Sequence, residues 1–259
     1  MIQADIFSRN VRRRFRDRAF SSDAADRWLI QFMAQELIER VSIINRRFGR
    51  VLIIGNDGGT LRQSLAASGA MVVIADTSFT GACGTCAVQC DEDRLPFANG
   101  SFDLVLAPGG LDSVNDLPGA LILIRRILQP DGLFLGAMSG AGSLSTLREV
   151  IARANSAEKV IARHHPQIDV RAAGDLLARA GFAQPVAESE SLTVRYPDLF
   201  RLMADLRANA MTNALIQRQP LRRDELQRMA ALFSTRGIPK TEESFSFIFM
   251  TGWVSPRLA

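Results

Sequence analysis

Apolar positions change their period at Arg50. Before it, Trp28, Leu29, Phe32, Met33, Leu37 and Val41 recur at the spacing of one helical face, and the first fifty residues read as helix. Ser21, Ser22 or Asp23 is placed to cap the helix carrying that stripe, with Asp26 in its acidic first turn. After it, Val51 to Ile54 is a continuous apolar run followed by Gly55-Asn56-Asp57-Gly58-Gly59, the signature of a strand buried on both faces that ends in a tight turn. Further strands are expected at Met71 to Ala75 ending on Asp76, Cys86 to Gln89, Phe102 to Ala107, Leu133 to Met138, Val186 to Val194 and Phe245 to Met250. Helices are expected at Leu61 to Ala67, at Leu117 to Leu128 with Pro118 in its opening turn, and at Leu144 to Ala157. Others follow at Asp175 to Ala180 stopped by Gly181, Leu199 to Leu215 and Arg223 to Phe233, with Pro130-Asp131-Gly132 a turn between two of the elements.

Strands and helices alternate, which predicts an α/β fold with a doubly wound, mostly parallel sheet. Residues 1–48 read as an N-terminal helical extension and 49–259 as the main domain, with a helical lid at about 197–235 before the last strand. The 259 residues are 47% hydrophobic and 22% charged, enough apolar material for a sizeable core and too much for disorder. No uncharged apolar run is long enough to span a bilayer, and the start lacks the apolar stretch of a secretory signal.

The net charge is +4, and the only lysines are Lys159 and Lys240. So small an excess does not point to nucleic acid. Arg9 to Arg18, however, carries six arginines against Asp17 alone. This stretch is expected to pack partly on the domain and leave several guanidinium groups in water, where an acidic partner or an anionic membrane could meet them. Cys83, Cys86 and Cys90 cannot all pair within one chain, so a reducing, cytoplasmic setting is expected.

Ligands of open parallel sheets bind beyond the carboxyl ends of the strands. Three such ends carry suggestive groups. Gly55, Asp57 and Gly59 belong to a turn that allows a ligand close to the backbone, although Asp57 would repel a phosphate. Asp76 can accept both hydroxyl hydrogens of a ribose, or serve simply as a turn or capping residue. Asp91, with Leu95, Pro96 and Phe97 as apolar wall, can accept from an adenine amino group, or belong to an ordinary acidic loop.

Val51 to Gly59, Asp76, Asp91 to Phe97 and Ser101 to Val105 resemble class I S-adenosylmethionine-dependent methyltransferases of type 11. Val114 to Leu121 and Leu128 to Phe134 are closer still to a methyltransferase-like family. That family includes bacterial malonyl-carrier-protein methyltransferases and the mitochondrial complex I assembly factor that hydroxylates an arginine. Shorter matches, such as Leu192 to Tyr196 and Thr251 to Trp253, extend the resemblance over nearly the whole chain. It implies a seven-stranded sheet in the order three-two-one-four-five-seven-six. It also implies S-adenosylmethionine as cofactor, with Gly55, Asp57, Gly59, Asp76, Asp91 and Leu95 as contacts.

The glycine loop departs from the family pattern: Ile53 replaces an acidic residue and Asp57 a glycine, while Asp112 and Ser113 stand where relatives have histidine and tryptophan. Cofactor binding is therefore expected to be weakened or lost, unless Asp57 supplies the missing carboxylate. The functional readings are a methyltransferase with an unknown small-molecule or protein substrate, a non-catalytic binding or respiratory-complex assembly protein, and a protein arginine hydroxylase. Leu111, Asp112 and Ser139-Gly140-Ala141 are candidate pocket walls. The three cysteines have near-metal spacing but read by default as small buried residues around the pocket, and His164-His165 as a surface-loop pair.

Overall fold

The computed structural model describes residues 5–21, 26–82, 86–154 and 162–256. They begin with helices α1 (Arg9–Phe20) and α2 (Trp28–Ser42), strand β1 (Arg50–Ile54), helix α3 (Thr60–Ala67) and strands β2 (Met71–Asp76), β3 (Ala87–Gln89) and β4 (Phe102–Pro108). Then come α4 (Leu117–Ile127), β5 (Leu128–Ser139), α5 (Ser145–Ala154), α6 (Val170–Arg179), β6 (Ala183–Tyr196), α7 (Leu199–Ala208), α8 (Arg223–Ser234) and β7 (Thr241–Trp253). The sheet order is β3-β2-β1-β4-β5-β7-β6. Strands β1 to β5 are parallel, and β7 enters antiparallel between β5 and β6, with Phe249 opposite Ala137 on one side and Glu188 on the other.

The period of two within each strand divides the core into two layers. Val51, Ile53, Leu104, Leu106, Phe247 and Phe249 face one way, against Leu29, Met33 and Leu37 of α2. Leu52, Ile54, Val105, Phe134, Ile248 and Met250 face the other, against Leu121 and Ile124 of α4. Helix α2 is thus part of one core layer. Among the described residues no helix is long and apolar enough to cross a membrane.

Several expected boundaries move, each for a local reason. Helix α7 stops at Ala208 instead of running to Leu215: Ala210 has φ 56°, and the Asn209 side chain turns away to accept from the Ile30 amide at 3.1 Å. Helix α6 starts at Val170 because Asp169 caps it, accepting from the Ala172 amide at 2.8 Å. The turn expected at Pro130-Asp131-Gly132 lies inside β5, where pairing with β4 shifts register and Asp131 takes φ 62°. Strands β6 and β7 outrun their apolar stretches because their ladder extends from Ala183 opposite Trp253 to Tyr196 opposite Thr241. The cap of α2 is Arg27, with Asp26 ahead of it; Ser21 closes α1, and Ser22 and Asp23 lie outside the described residues, as does the expected end of the Leu144 helix beyond Ala154.

Candidate functional site

The turn after β1 places three glycines at positive φ: Gly55 at 94°, Gly58 at 87° and Gly59 at 103°. A side chain would be strained at each. Asp57, between them, is buried, and its Oδ1 accepts from the Gly59 amide at 3.0 Å and its Oδ2 from the Leu61 amide at 2.7 Å. Burial raises its carboxyl above the ordinary range, and these amide bonds offset part of that rise. The carboxylate therefore serves the first turn of α3. Replacing Asp57 with Ala should lower stability by about 1 kcal/mol, a shift of roughly 2–4 °C in melting temperature, as expected for a lost cap. An unchanged melting curve would show that the cap contributes nothing.

Asp76 ends β2 and is buried. Arg16 donates to it through a fork, Nε to Oδ1 at 2.9 Å and Nη2 to Oδ2 at 2.6 Å. The Asn56 amide donates to Oδ2 at 2.7 Å and the Ser78 amide to Oδ1 at 2.8 Å. Burial alone would raise this carboxyl; the Arg16 charge and the four donors outweigh it, and the group lies below the ordinary carboxylate range. The neighbouring acidic loop is engaged in the same way. Arg13 reaches Asp91 Oδ2 at 2.8 Å and Arg9 approaches the same oxygen at 3.2 Å. Arg12 forks onto Glu92 at 3.1 and 2.9 Å, and Arg9 onto Asp93 at 2.6 and 2.7 Å. Leu95 is buried in the second core layer, and Phe97 meets Phe102 edge to face.

Arg9, Arg12, Arg13 and Arg16 are spaced i, i+3, i+4, i+7 and share one face of α1. The opposite side carries Arg14 and Arg18, both exposed. Most of the arginine cluster is thus turned inward, where the sequence reading expected several free cations. Asn115 fixes the start of α1: its Oδ1 accepts from the Ile6 and Phe7 amides at 2.9 and 2.8 Å, and its Nδ2 donates to the Phe7 carbonyl at 3.0 Å.

Along the edge of α1 that carries Arg12, Phe15 and Arg16 lies a cavity of about 300 Å³. Its walls come from α1, α2, the end of β4, the His164–Pro166 segment and the lid helices, and they include Asp112, Ser113 and Ser139. Leu111 is buried in the core instead, and Gly140 and Ala141 are held by the Ser246 and Ile168 carbonyls outside the lining. Gly55, Asp57, Gly59, Asp76, Asp91 and Leu95 do not line the cavity, whereas Arg12 and Arg16 do. Burial pushes the Asp112 carboxyl up to about 6, with Arg12 opposing the rise. His165 is half-buried rather than a free loop residue. Its ring meets Phe7 edge-on at 4.9 Å and its Nε2 accepts from the Ala214 amide at 3.0 Å. Burial, then the charge of Arg12, lowers its pKa to about 4, so the ring is neutral at pH 7.

Cys86 is exposed, which corrects the expectation of cysteines buried around a pocket; Cys90 is half-buried, and Cys83 lies outside the described residues. Burial, followed by the charges of Glu92, Asp91 and Asp76, pushes the Cys90 thiol up to about 12, so it stays protonated. Among the described residues no three His, Cys, Asp or Glu side chains gather as a metal site.

The fold family implies S-adenosylmethionine, and the arrangement around Asp76 does not fit it. Both carboxylate oxygens that would take ribose hydroxyls already accept from Arg16 and two amides.

Residues 25–185 match the methyltransferase domain family. The human protein named arginine-hydroxylase NDUFAF5, mitochondrial, is 31% identical over 96% of this chain and 77% of its own length. The malonyl-[acyl-carrier protein] O-methyltransferase of Methylovorus sp. is 37% identical, but over only 49% of this chain and 42% of its own. Among solved structures, the Haemonchus contortus phosphoethanolamine N-methyltransferase 2 complex with S-adenosyl-L-methionine aligns with a TM-score of 0.55 at 18% identity. That alignment covers 95% of this chain and 60% of the other, and it shows the shared fold. The expected cytoplasmic setting is overturned, since the vertebrate relatives matched over nearly this whole chain are mitochondrial proteins. The free Cys86 and Cys90 do not say which compartment holds the chain. With that fold, strand order and family match together, the chain belongs to the methyltransferase domain family, as a relative of the NDUFAF5 arginine hydroxylases.

Proposed function

We propose that this chain is a protein-directed relative of the arginine hydroxylases, a binding or assembly protein that takes an arginine side chain of a partner protein into the Asp112 cavity. Methyl transfer is not its activity in this reading. The observation that carries it is Asp112, a carboxylate on a cavity whose arginines Arg12, Arg16 and Arg163 are already engaged by Glu92, Asp76 and Glu225, with Arg148 and Arg207 also on its walls. A guanidinium needs such a carboxylate, and its methylene stem needs the apolar walls that Met203, Met211 and Phe245 supply. Residues at about 197–235 serve as the lid. Contact with an anionic membrane is not favoured, since four arginines of α1 bind carboxylates of the same chain.

The test is calorimetric titration with an arginine-bearing peptide, beside S-adenosylmethionine. The natural chain should bind the peptide and Asp112→Asn should bind it roughly 10- to 160-fold more weakly, the range for one charge-assisted contact of about 1.5–3 kcal/mol. Affinity should also fall below pH 6, as Asp112, with its pKa near 6, takes up a proton and loses the charge that attracts the guanidinium. Equal peptide binding by both proteins would sink the assignment. Tight binding of S-adenosylmethionine by the natural chain would restore the methyltransferase reading, to which the preserved glycine turn at Gly55 and Gly59 belongs.

A further inference from the structure

We infer that α1 and a nucleoside are alternative occupants of one set of carboxylates, with the arginine face of the helix acting as the chain's own ligand for the nucleoside end of the sheet. The inference does not rest on what the Asp112 cavity takes, although Arg12 and Arg16 of α1 line that cavity as well.

Three observations meet here. The first is saturation. Asp76 accepts four hydrogen bonds, two of them from Arg16, which fills the acceptor capacity of a carboxylate. A ribose diol can bind Asp76 only after Arg16 has let go.

The second is position. The Arg16 guanidinium lies against the glycine turn, its Nη2 only 3.5 Å from where a Cβ on Gly55 would stand. Close backbone approach, the property a glycine there provides, is used by this side chain. The third is a remaining vacancy in the hydrogen bonding. Asp91 is buried, both its arginine contacts fall on Oδ2, and its Oδ1 has no hydrogen-bond partner in the protein. A buried acceptor without a donor is costly, and an exocyclic amino group would satisfy it.

The exchange is concerted by construction. Arg9, Arg12, Arg13 and Arg16 sit on one helical face, so a helix that swings away releases Asp76, Asp91, Glu92 and Asp93 together. A nucleoside that captured Asp76 alone would leave the other carboxylates to find water or cations. The closed form is therefore the resting form, and the site opens only when something else holds α1 or when its arginines are removed.

The experiment uses the full chain and S-adenosylhomocysteine as probe. Natural protein, Arg16→Ala, Arg9→Ala/Arg13→Ala and the exposed control Arg14→Ala are titrated by calorimetry, with circular dichroism to confirm folding. Arg16→Ala should bind at least about tenfold more tightly than the natural chain, and Arg14→Ala should match the natural chain. The double variant changes side chains nearer solvent, so it keeps the test open if Arg16→Ala fails to fold; it should gain about fivefold or more.

A folded Arg16→Ala with no gain would overturn the inference, as would an unchanged double variant if Arg16→Ala does not fold. Tight binding by the natural chain, with the α1 amides still protected from hydrogen exchange, would overturn it too. Loss of arginine-peptide binding on changing Asp112 is read in a separate titration, so the failure of either reading is visible by itself.

Discussion

Replacing Arg16 with Ala will destabilise the ligand-free protein by about 3–5 kcal/mol, because it strips a buried carboxylate of its guanidinium and leaves the charge behind. For a chain of this size that is a fall of roughly 6–20 °C in melting temperature. The pH dependence carries the sign of the effect. Asp76 lies below its ordinary value in the folded protein, so its contribution is present above the unfolded value near 4 and is lost as pH falls through the folded value. In Arg16→Ala, burial becomes the dominant influence on Asp76, and its pKa should rise. The folded variant then holds a proton that the unfolded chain has released, so stability should fall with rising pH above about 4, where the natural chain keeps its gain. Thermal melts of both proteins from pH 3 to 7 check this. A difference below about 1 kcal/mol at pH 7 would mean that water replaces the guanidinium without penalty.

Phe247→Ala should be as damaging, for a different reason. The ring is fully buried on β7, stacked with Phe245 at 6.4 Å between centroids and tilted against Phe32 of α2 at 5.1 Å. Truncating it removes transfer energy and leaves a hole that rigid strands on both sides cannot close, a loss of about 3–5 kcal/mol. The urea midpoint should fall while the slope of the transition stays the same, because the surface exposed on unfolding scarcely changes. A loss under 1 kcal/mol would show that α2 and the lid helices collapse into the space.

The two predictions differ in how visible they were from the residues. Phe247 opens a continuous apolar run to Met250, and its burial follows from a strand covered on both faces. The parallel strands were legible for the same reason, since Val51 to Ile54 and Phe102 to Ala107 are apolar on both faces. The place of β7 between β5 and β6 was legible only through the resemblance, because nothing in its own residues says which neighbours it has. Arg16 was harder. The i, i+3, i+4, i+7 arrangement of four arginines is written in the sequence, yet spacing identifies a face without saying what the face meets. Its partners lie some sixty to eighty residues away along the chain, at Asp76 and Asp91 to Asp93. Asp57 is the opposite case: its capping partners, Gly59 and Leu61, are two and four residues on, a local pattern readable in principle but obscured by the comparison with a glycine. The end of α7 could not be read locally, because Asn209 turns toward Ile30 of a distant helix.

The interior place of β7 also has a consequence in time. On the ribosome, β6 emerges before α7, α8 and β7, yet its ladder is made with β7 alone. From the completion of Tyr196 until Thr241 to Trp253 is synthesised, β6 has no partner in its own sheet, and the exposed side of β5 is open as well. At roughly 5–20 residues per second this interval lasts a few seconds. An unpaired strand is an invitation to aggregate, and charges along it are the usual defence. Glu188, Glu190 and Arg195 stand at alternating or nearby positions of β6, so the strand left with no neighbour at all while the lid is being made carries its own protection.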